Sequence, residues 1–231
     1  MCHIDHIKVL LKEFIMEDRV NYSEIVEFLR STIRRETGLL KEIEEYAGLH
    51  HIPIIQPESA ALLKLLIKLH KPQKILEAGT AIGYSACIMA AVMDKTGLID
   101  TVEIDEELAH MAKNNIKAMG YDNRIRVILG DALEVLECLN STYDMIFLDA
   151  AKGQYIEYLN HALRLLRPGG LLVSDNVLYK GLVAQKEKVQ HKHRTIANRL
   201  KEYLQLICSH EKLETSIVPI GDGMAISLKE R

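Results

Sequence analysis

The sequence is short of the features that mark a membrane-spanning, secreted or nucleic-acid-coating protein. Its apolar runs, such as SAALLKLLIKLH at residues 59–70, are broken by lysines well before the roughly 20 residues that a bilayer span needs. No membrane partner is expected. The opening MCHIDHIKVLLKEF has no basic start, no uninterrupted apolar stretch and no small-residue cleavage site, and predicts a cytoplasmic protein. Cys2, Cys87, Cys138 and Cys208 are too scattered for a disulfide framework and contain no C-x-x-C pair, so neither a zinc site nor secretion is indicated. Cys87, set among apolar residues, reads as a small buried hydrophobe rather than a nucleophile. Charge of neither sign prevails: 29 Lys+Arg face 32 Asp+Glu, a formal −3, so any polyanion must be met by a local patch. The G-x-G-x-x-G dinucleotide fingerprint is also missing.

What remains is an ordinary globular composition, 48% hydrophobic and 26% charged over 231 residues, enough for one core and too little for two comfortable domains. Residues 1–47 carry helical periodicity. One stripe is Ile4, Ile7, Leu10, Leu11, Phe14 and Ile15, and a second is Ile25, Val26, Phe28 and Leu29. These residues are expected to form an N-terminal helical layer covered by the main body or by a second subunit, ahead of a main domain at residues 48–231.

From residue 74 short apolar strands alternate with amphipathic helices: KILEAG, LIDTVEI, RIRVILG, DMIFLDA and LLVSDN, each followed by a helical stretch, the last of them a long polar helix over about residues 185–209. ETSIVPI, the turn GDG and MAISLKE close the chain as an antiparallel hairpin. The pattern predicts an α/β fold, a doubly wound, mostly parallel seven-stranded sheet of the Rossmann-like type, with its ligand crevice at the carboxyl ends of the strands.

Three acids stand at successive strand ends. Glu77 closes the first strand, and Gly79 and Gly83 frame the turn EAGTAIGYSA, where Tyr84 opens a helix. Glycine lets backbone approach a ligand and a helix amino end favours an anion. Glu103, at the end of the second strand, can accept both hydroxyls of a ribose; Asp131, after the third, can accept from an adenine amine. Each acid alone is as well read as a helix cap. Together they point to an adenosyl ligand, and S-adenosylmethionine fits better than a nicotinamide cofactor because nothing is arranged for a pyrophosphate.

Asp149 ends the fourth strand and Asp175 with Asn176 the fifth. Adjacent strands bring these termini together, and a divalent cation would relieve the repulsion between two clustered carboxylates. Oxygen donors select magnesium, with calcium or manganese as substitutes, over zinc. The competing reading is a helix cap at Asp149 and an Asx turn at Asp175-Asn176. Lys152, three residues past Asp149, is a candidate proton acceptor for a substrate hydroxyl. His191 and His193 do not share a helix face and are not read as a metal pair.

EAGTAIGYSA, FLDAAKGQY, LVSDNVLYKG and DGMAISL resemble the metal-dependent O-methyltransferases related to the catechol and caffeoyl-CoA enzymes. Over residues 45–231 the likeness is nearest to the bacterial enzymes that methylate 5-hydroxyuridine at the tRNA wobble position. The resemblance implies that Ile55, Ser85, Glu103, Asp131, Ala132 and Asp149 contact S-adenosylmethionine, that Asp149, Asp175 and Asn176 hold magnesium, and that Lys152 with Asp149 serves catalysis. Glu77, Gly79 and Tyr84 are counted with the donor site, and the family's habit of pairing makes a homodimer the expectation.

Catechol and 5-hydroxyuracil both offer two adjacent oxygens, so the chemistry does not choose between them. From Lys180 to Lys201 seven Lys or Arg accompany a single Glu, a positive stripe suited to the phosphates of a tRNA anticodon loop. Lys180, Lys186, Lys188, Lys192 and Arg194 are its candidate contacts, and Tyr179 or Tyr84 a candidate platform for an unstacked base. A small catechol-like substrate is the alternative reading. An idle RNA-binding module that kept the fold is a third.

Overall fold

Strand β1 (Lys74–Ala78) sends Ile75 to one side of the sheet and Leu76 to the other, and β4 (Tyr143–Leu148) divides Met145 and Phe147 from Ile146 and Leu148 in the same way. A strand buried on both faces needs cover on both, and gets it. In this computed structural model, which describes residues 20–185 and 190–230, one face is covered by α2 (Leu39–Leu49), α3 (Pro57–His70), α4 (Tyr84–Val92) and α5 (Glu106–Ala118). The other is covered by α6 (Ala132–Cys138), α7 (Tyr155–Leu165) and α8 (His191–Ser209).

The remaining strands are β2 (Leu98–Glu103), β3 (Ile125–Leu129), β5 (Leu166–Ser174), β6 (Leu213–Val218) and β7 (Met224–Lys229), in the order β3-β2-β1-β4-β5-β7-β6. β7 alone runs opposite to the other six strands, pairing antiparallel with both β5 and β6. The doubly wound sheet and its closing hairpin are therefore as the alternation predicts. Between β1 and β4 the winding reverses direction, the place where such sheets open a crevice.

Two boundaries differ from expectation. β5 begins at Leu166, because Leu166 pairs with Tyr143 before the register shifts and Leu171 pairs with Met145. The sequence RPGG, which reads as a turn, is the irregularity inside the strand. Helix α8 starts at His191 rather than near 185; a 3-10 turn at Leu182–Ala184 and extended backbone at Gln185 precede it. The first expected stripe, Ile4 to Ile15, and Lys186 and Lys188 lie outside the described residues. No helix among the described residues is long and apolar enough to cross a membrane.

The expected division at residue 47 falls inside α2, whose Leu40, Ile43 and Ala47 are buried in the same core as β1. Helix α1 (Ser23–Thr32) behaves otherwise: none of its residues is buried, and Ile25 and Phe28 face solvent. Its attachment is polar. Arg30 donates through Nε and Nη2 to both carboxylate oxygens of Glu58, at 2.8 and 2.9 Å, and Asn21 Nδ2 donates to the Gly221 carbonyl at 3.2 Å. Glu58 is 2% exposed, so removing its partner strands a charge. Arg30→Ala is expected to lower stability by about 2 kcal/mol, below the fully buried range because the arginine is partly solvated; urea unfolding at neutral pH measures it.

Candidate active site

The ladder of the sheet carries the site residues into place. The Asp149 N–H donates to the Ala78 carbonyl at 2.8 Å, and the Asp175 N–H donates to the Leu148 carbonyl at 2.9 Å. The first residue past β4 is thus fixed beside β1, and the first past β5 beside β4, as though the strands continued. Tyr155, buried, brings its hydroxyl within 3.0 Å of the Leu148 carbonyl and 3.1 Å of the Asp175 carbonyl, bracing the two strand ends. Gly79 makes this approach possible: at φ +100° its absent Cβ would lie 2.3 Å from the Asp149 carbonyl oxygen.

Above these ends opens a cleft of about 350 Å³, within the usual range for small-molecule sites. Gly79, Glu103, Asp131, Ala132, Asp149, Lys152 and Asn176 all line it. So do residues the sequence reading missed: Pro53, Ile54, Ala81, Ile104, Leu108, Gln154 and Tyr158. Ile104 carried a signal, since an apolar residue directly after a strand-end acid and left 67% exposed suits contact with a flat apolar ligand. Gln154 lay inside FLDAAKGQY and accepts from the Tyr158 hydroxyl at 2.6 Å.

Four expected donor-site residues do not line the cleft. Glu77 is fully buried beneath the glycine turn, where it accepts from Ser85 Oγ at 2.5 Å and from Thr101 Oγ1 at 2.6 Å. Thr101 Oγ1 in turn lies 2.6 Å from Thr80 Oγ1. A buried carboxylate and hydroxyls within reach of one another satisfy each other, so Glu77 and Ser85 brace β1, β2 and α4 from below. Tyr84 packs into the core with its hydroxyl donating to Glu44 at 3.3 Å, which also removes it as a base platform. Ile55 is a core residue; its neighbours Pro53 and Ile54 reach the cleft instead.

The acids that do line the cleft have structural duties too. Glu103 accepts three backbone N–H groups, from Ala81 at 2.8 Å and from Ile104 and Asp105 at 3.0 Å, which pins Ala81 at φ +45°. A carboxylate has about four lone-pair positions, so one remains for a ligand hydroxyl. Asp131 caps α6, its Oδ1 accepting from Leu133 and Glu134.

Asp149 keeps some solvent access through the cleft, yet the protein crowds its carboxyl. Loss of hydration pushes its pKa up, Lys152 pulls it back, and Glu77 adds a like-charge push. Asp175 is fully buried and raised for the same reason, reinforced by Asp149 and opposed by the Asn176 N–H and by Lys152. Its Oδ1 accepts from Asn176 N at 2.8 Å, while its Oδ2 has no hydrogen-bond partner among the described residues. An orphaned carboxylate oxygen in so dry a place calls for a proton, a water or a bound ligand. Lys152 stands on a 3-10 turn (Lys152–Gln154) held by Arg199, whose Nε donates to the Gly153 carbonyl at 3.0 Å and which is ion-paired with Glu157.

Of the expected phosphate contacts, Lys180 and Lys192 are exposed and Arg194 is partly buried. Tyr179 joins the loop after β5 to α8 through a 2.9 Å contact between its hydroxyl and His193 Nδ1.

Two outcomes follow from this geometry. Gly79→Ala forces β1 and β4 apart and is expected to cost about 2–3 kcal/mol in urea unfolding. Burial also raises the Glu77 carboxyl from its ordinary 4.5 to about 7, against the pull of Ser85 and Thr101. The folded state then holds a proton that the unfolded state releases, so Glu77 contributes a loss of stability as pH rises from 4.5 to 7. The difference in melting temperature between the protein and Glu77→Gln should move in favour of the variant across that interval.

Comparison with known proteins agrees with this architecture. A family model described as O-methyltransferase matches residues 30–230. A caffeoyl-CoA O-methyltransferase of Stellaria longipes is 30% identical over 206 residues, covering 84% of each chain. A catechol O-methyltransferase of Niastella koreensis is 38% identical over 140 residues, 59% of this chain and 63% of the relative. Among solved structures, an O-methyltransferase from Bacillus cereus in complex with SAH has the same fold, at TM-score 0.80 and 24% identity over 90% of this chain and 98% of that one. The chain belongs to the S-adenosylmethionine-dependent O-methyltransferase family, alongside relatives named for caffeoyl-CoA and for catechol.

Proposed function

We propose that this chain transfers the methyl group of S-adenosylmethionine to the 5-hydroxyl of 5-hydroxyuridine at the wobble position of tRNA, giving 5-methoxyuridine. The observation that carries the chemistry is that Asp149, Lys152 and Asn176 line one cleft while Asp175, fully buried, lies within electrostatic reach of Asp149 and Lys152, its Oδ2 without a hydrogen-bond partner among the described residues. The donor set of two carboxylates and one amide carbonyl fits a hard divalent cation. Asp149, Asp175 and Asn176 would hold magnesium, which would supply Lewis acidity toward a pair of adjacent substrate oxygens.

Around that centre the chain's own groups divide the work. Glu103 and Asp131 offer acceptors to the ribose and adenine of the donor, and Ile104 and Leu108 an apolar wall. Lys152, which lines the cleft, would take the hydroxyl proton. The substrate oxygen then attacks the methyl carbon as the carbon–sulfur bond breaks, and the bonding pair leaves with sulfur. Holding the two reactants in line is the larger part of the task.

Support for tRNA comes from exposed charge on the loop after β5 and on α8. Lys180 and Lys192 are exposed on the loop and helix that Tyr179 and His193 link, and exposed cations there suit the phosphates of an anticodon loop whose bases can be splayed out. A small catechol-like substrate is the second reading, favoured by the 38% identical relative named for catechol. In either case we propose a homodimer, supported by the apolar face that Tyr22, Ile25 and Phe28 leave in solvent.

The test is methyl transfer from labelled donor to tRNA bearing 5-hydroxyuridine, followed by nucleoside mass spectrometry. The expected product is 5-methoxyuridine. Turnover of catechol with none of tRNA would assign the second reading. Lys152→Met is expected to lower the rate about 10²-fold or more, and Asp175→Ala to abolish transfer while RNA binding stays within about 3-fold, which an idle RNA-binding module would not predict.

A further inference from the structure

The loop after β5 reaches the cleft in a conformation that its own residues do not favour. Asn176, Tyr179 and Lys180 all have positive φ, at +55°, +47° and +55°, a region that side chains other than glycine rarely enter. Something outside the loop must hold it there, and the closing hairpin supplies it. The Val177 N–H donates to the Gly223 carbonyl at 3.0 Å and the Leu178 N–H to the Asp222 carbonyl at 2.9 Å. The third anchor is a side chain: Asp222 Oδ1 accepts from the Lys180 N–H. Gly223, at φ +86°, lets the turn come so close that a Cβ there would lie 2.3 Å from Leu178 Cγ.

We propose that Asp222 is a positioning residue for the cation site, fixing the loop that begins at Asn176 so that its amide stands beside Asp149 and Asp175. The proposal rests on the reading of those three residues as the cation's holders. Two of the three anchors are made by backbone and survive any change of side chain, so Asp222 sets the far end of the loop without carrying the fold. Groups that orient ligands in this way are worth about 10- to 100-fold in metal affinity.

The experiment is direct binding of Mn²⁺, followed by its electron paramagnetic resonance signal in the presence of S-adenosylmethionine, to the full chain and two variants. Asp222→Ala is expected to bind Mn²⁺ about 10-fold or more weakly, with donor affinity within about 2-fold and a melting temperature within a few degrees. Asp222→Asn keeps an oxygen acceptor for the Lys180 N–H and should restore binding to within about 3-fold of the unaltered chain. Unchanged Mn²⁺ affinity in Asp222→Ala overturns the proposal. So does an Asp222→Ala chain that fails to fold, which would make Asp222 a residue of the fold, and so does an Asp222→Asn as weak as the alanine variant. Failure of the unaltered chain to bind Mn²⁺ at all refutes instead the reading of Asp149, Asp175 and Asn176.

Discussion

Three parallel strands ending level with one another impose the chemistry of this site. Because β1, β4 and β5 run side by side in register, Ala78, Leu148 and Ser174 are neighbours, and the residue that follows each strand has no choice of company. Asp149 and Asp175 are each pinned by one more rung of the ladder. Two carboxylates so placed repel each other and lose hydration, a cost no surface loop would impose. The fold bears it because the apolar strands beneath them are covered on both faces. Local strain and unmet polar groups persist only where the surroundings over-determine them. Here the bracing comes from Tyr155 below and the hairpin turn at the side.

The strands and their order of appearance were legible in the sequence because a strand buried on both sides has a composition nothing else needs. The alternation of Ile75 with Leu76, or of Phe147 with Ile146, is enough. Strand-end acids were legible for the same reason, since an acid that ends an apolar run must leave the core at that point. What the one-dimensional pattern does not carry is the side of the turn on which an acid lies. Glu77 and Glu103 look alike in sequence, yet one faces a buried pair of hydroxyls and the other the cleft. That depends on Thr101 and Ser85, 24 and eight residues away, and on twist that residue spacing does not record. The start of β5 was hidden by a different effect, a proline and two glycines used as an irregularity within a ladder rather than as its end.

Charge counting shows the same limit. Seven cations between Lys180 and Lys201 suggest a surface for phosphate, but Arg199 is bound to the Gly153 carbonyl and to Glu157. It belongs to the support of the Lys152 turn. Among the described residues the stripe is thus divided between Lys180, Lys192 and Lys201, which are exposed, and Arg199, which supports the Lys152 turn, and a salt slope would count only the former. The division also joins α8 mechanically to the turn that carries Lys152, so an occupant gripping the exposed end of the helix acts on an element already packed against the cleft.

Selectivity must then be sought away from the reacting atoms. A catechol and a 5-hydroxyuracil present the same pair of adjacent oxygens, so on the proposed reading of Asp149, Asp175 and Asn176 whatever grips one would grip the other. Discrimination therefore requires differential contact elsewhere; the loop after β5, whose Asn176 lines the cleft, is joined to the amino end of α8 by Tyr179 and His193. A phenol occupies only the floor of such a site and gains nothing from cations at its rim. A base carried by a polyanion gains from both, at the floor through its oxygens and at the rim through phosphates that a free phenol lacks. On the proposed reading, the same floor would serve different substrates while the rim alone changes, so the floor residues would fix the reaction and leave the substrate to be decided by the rim.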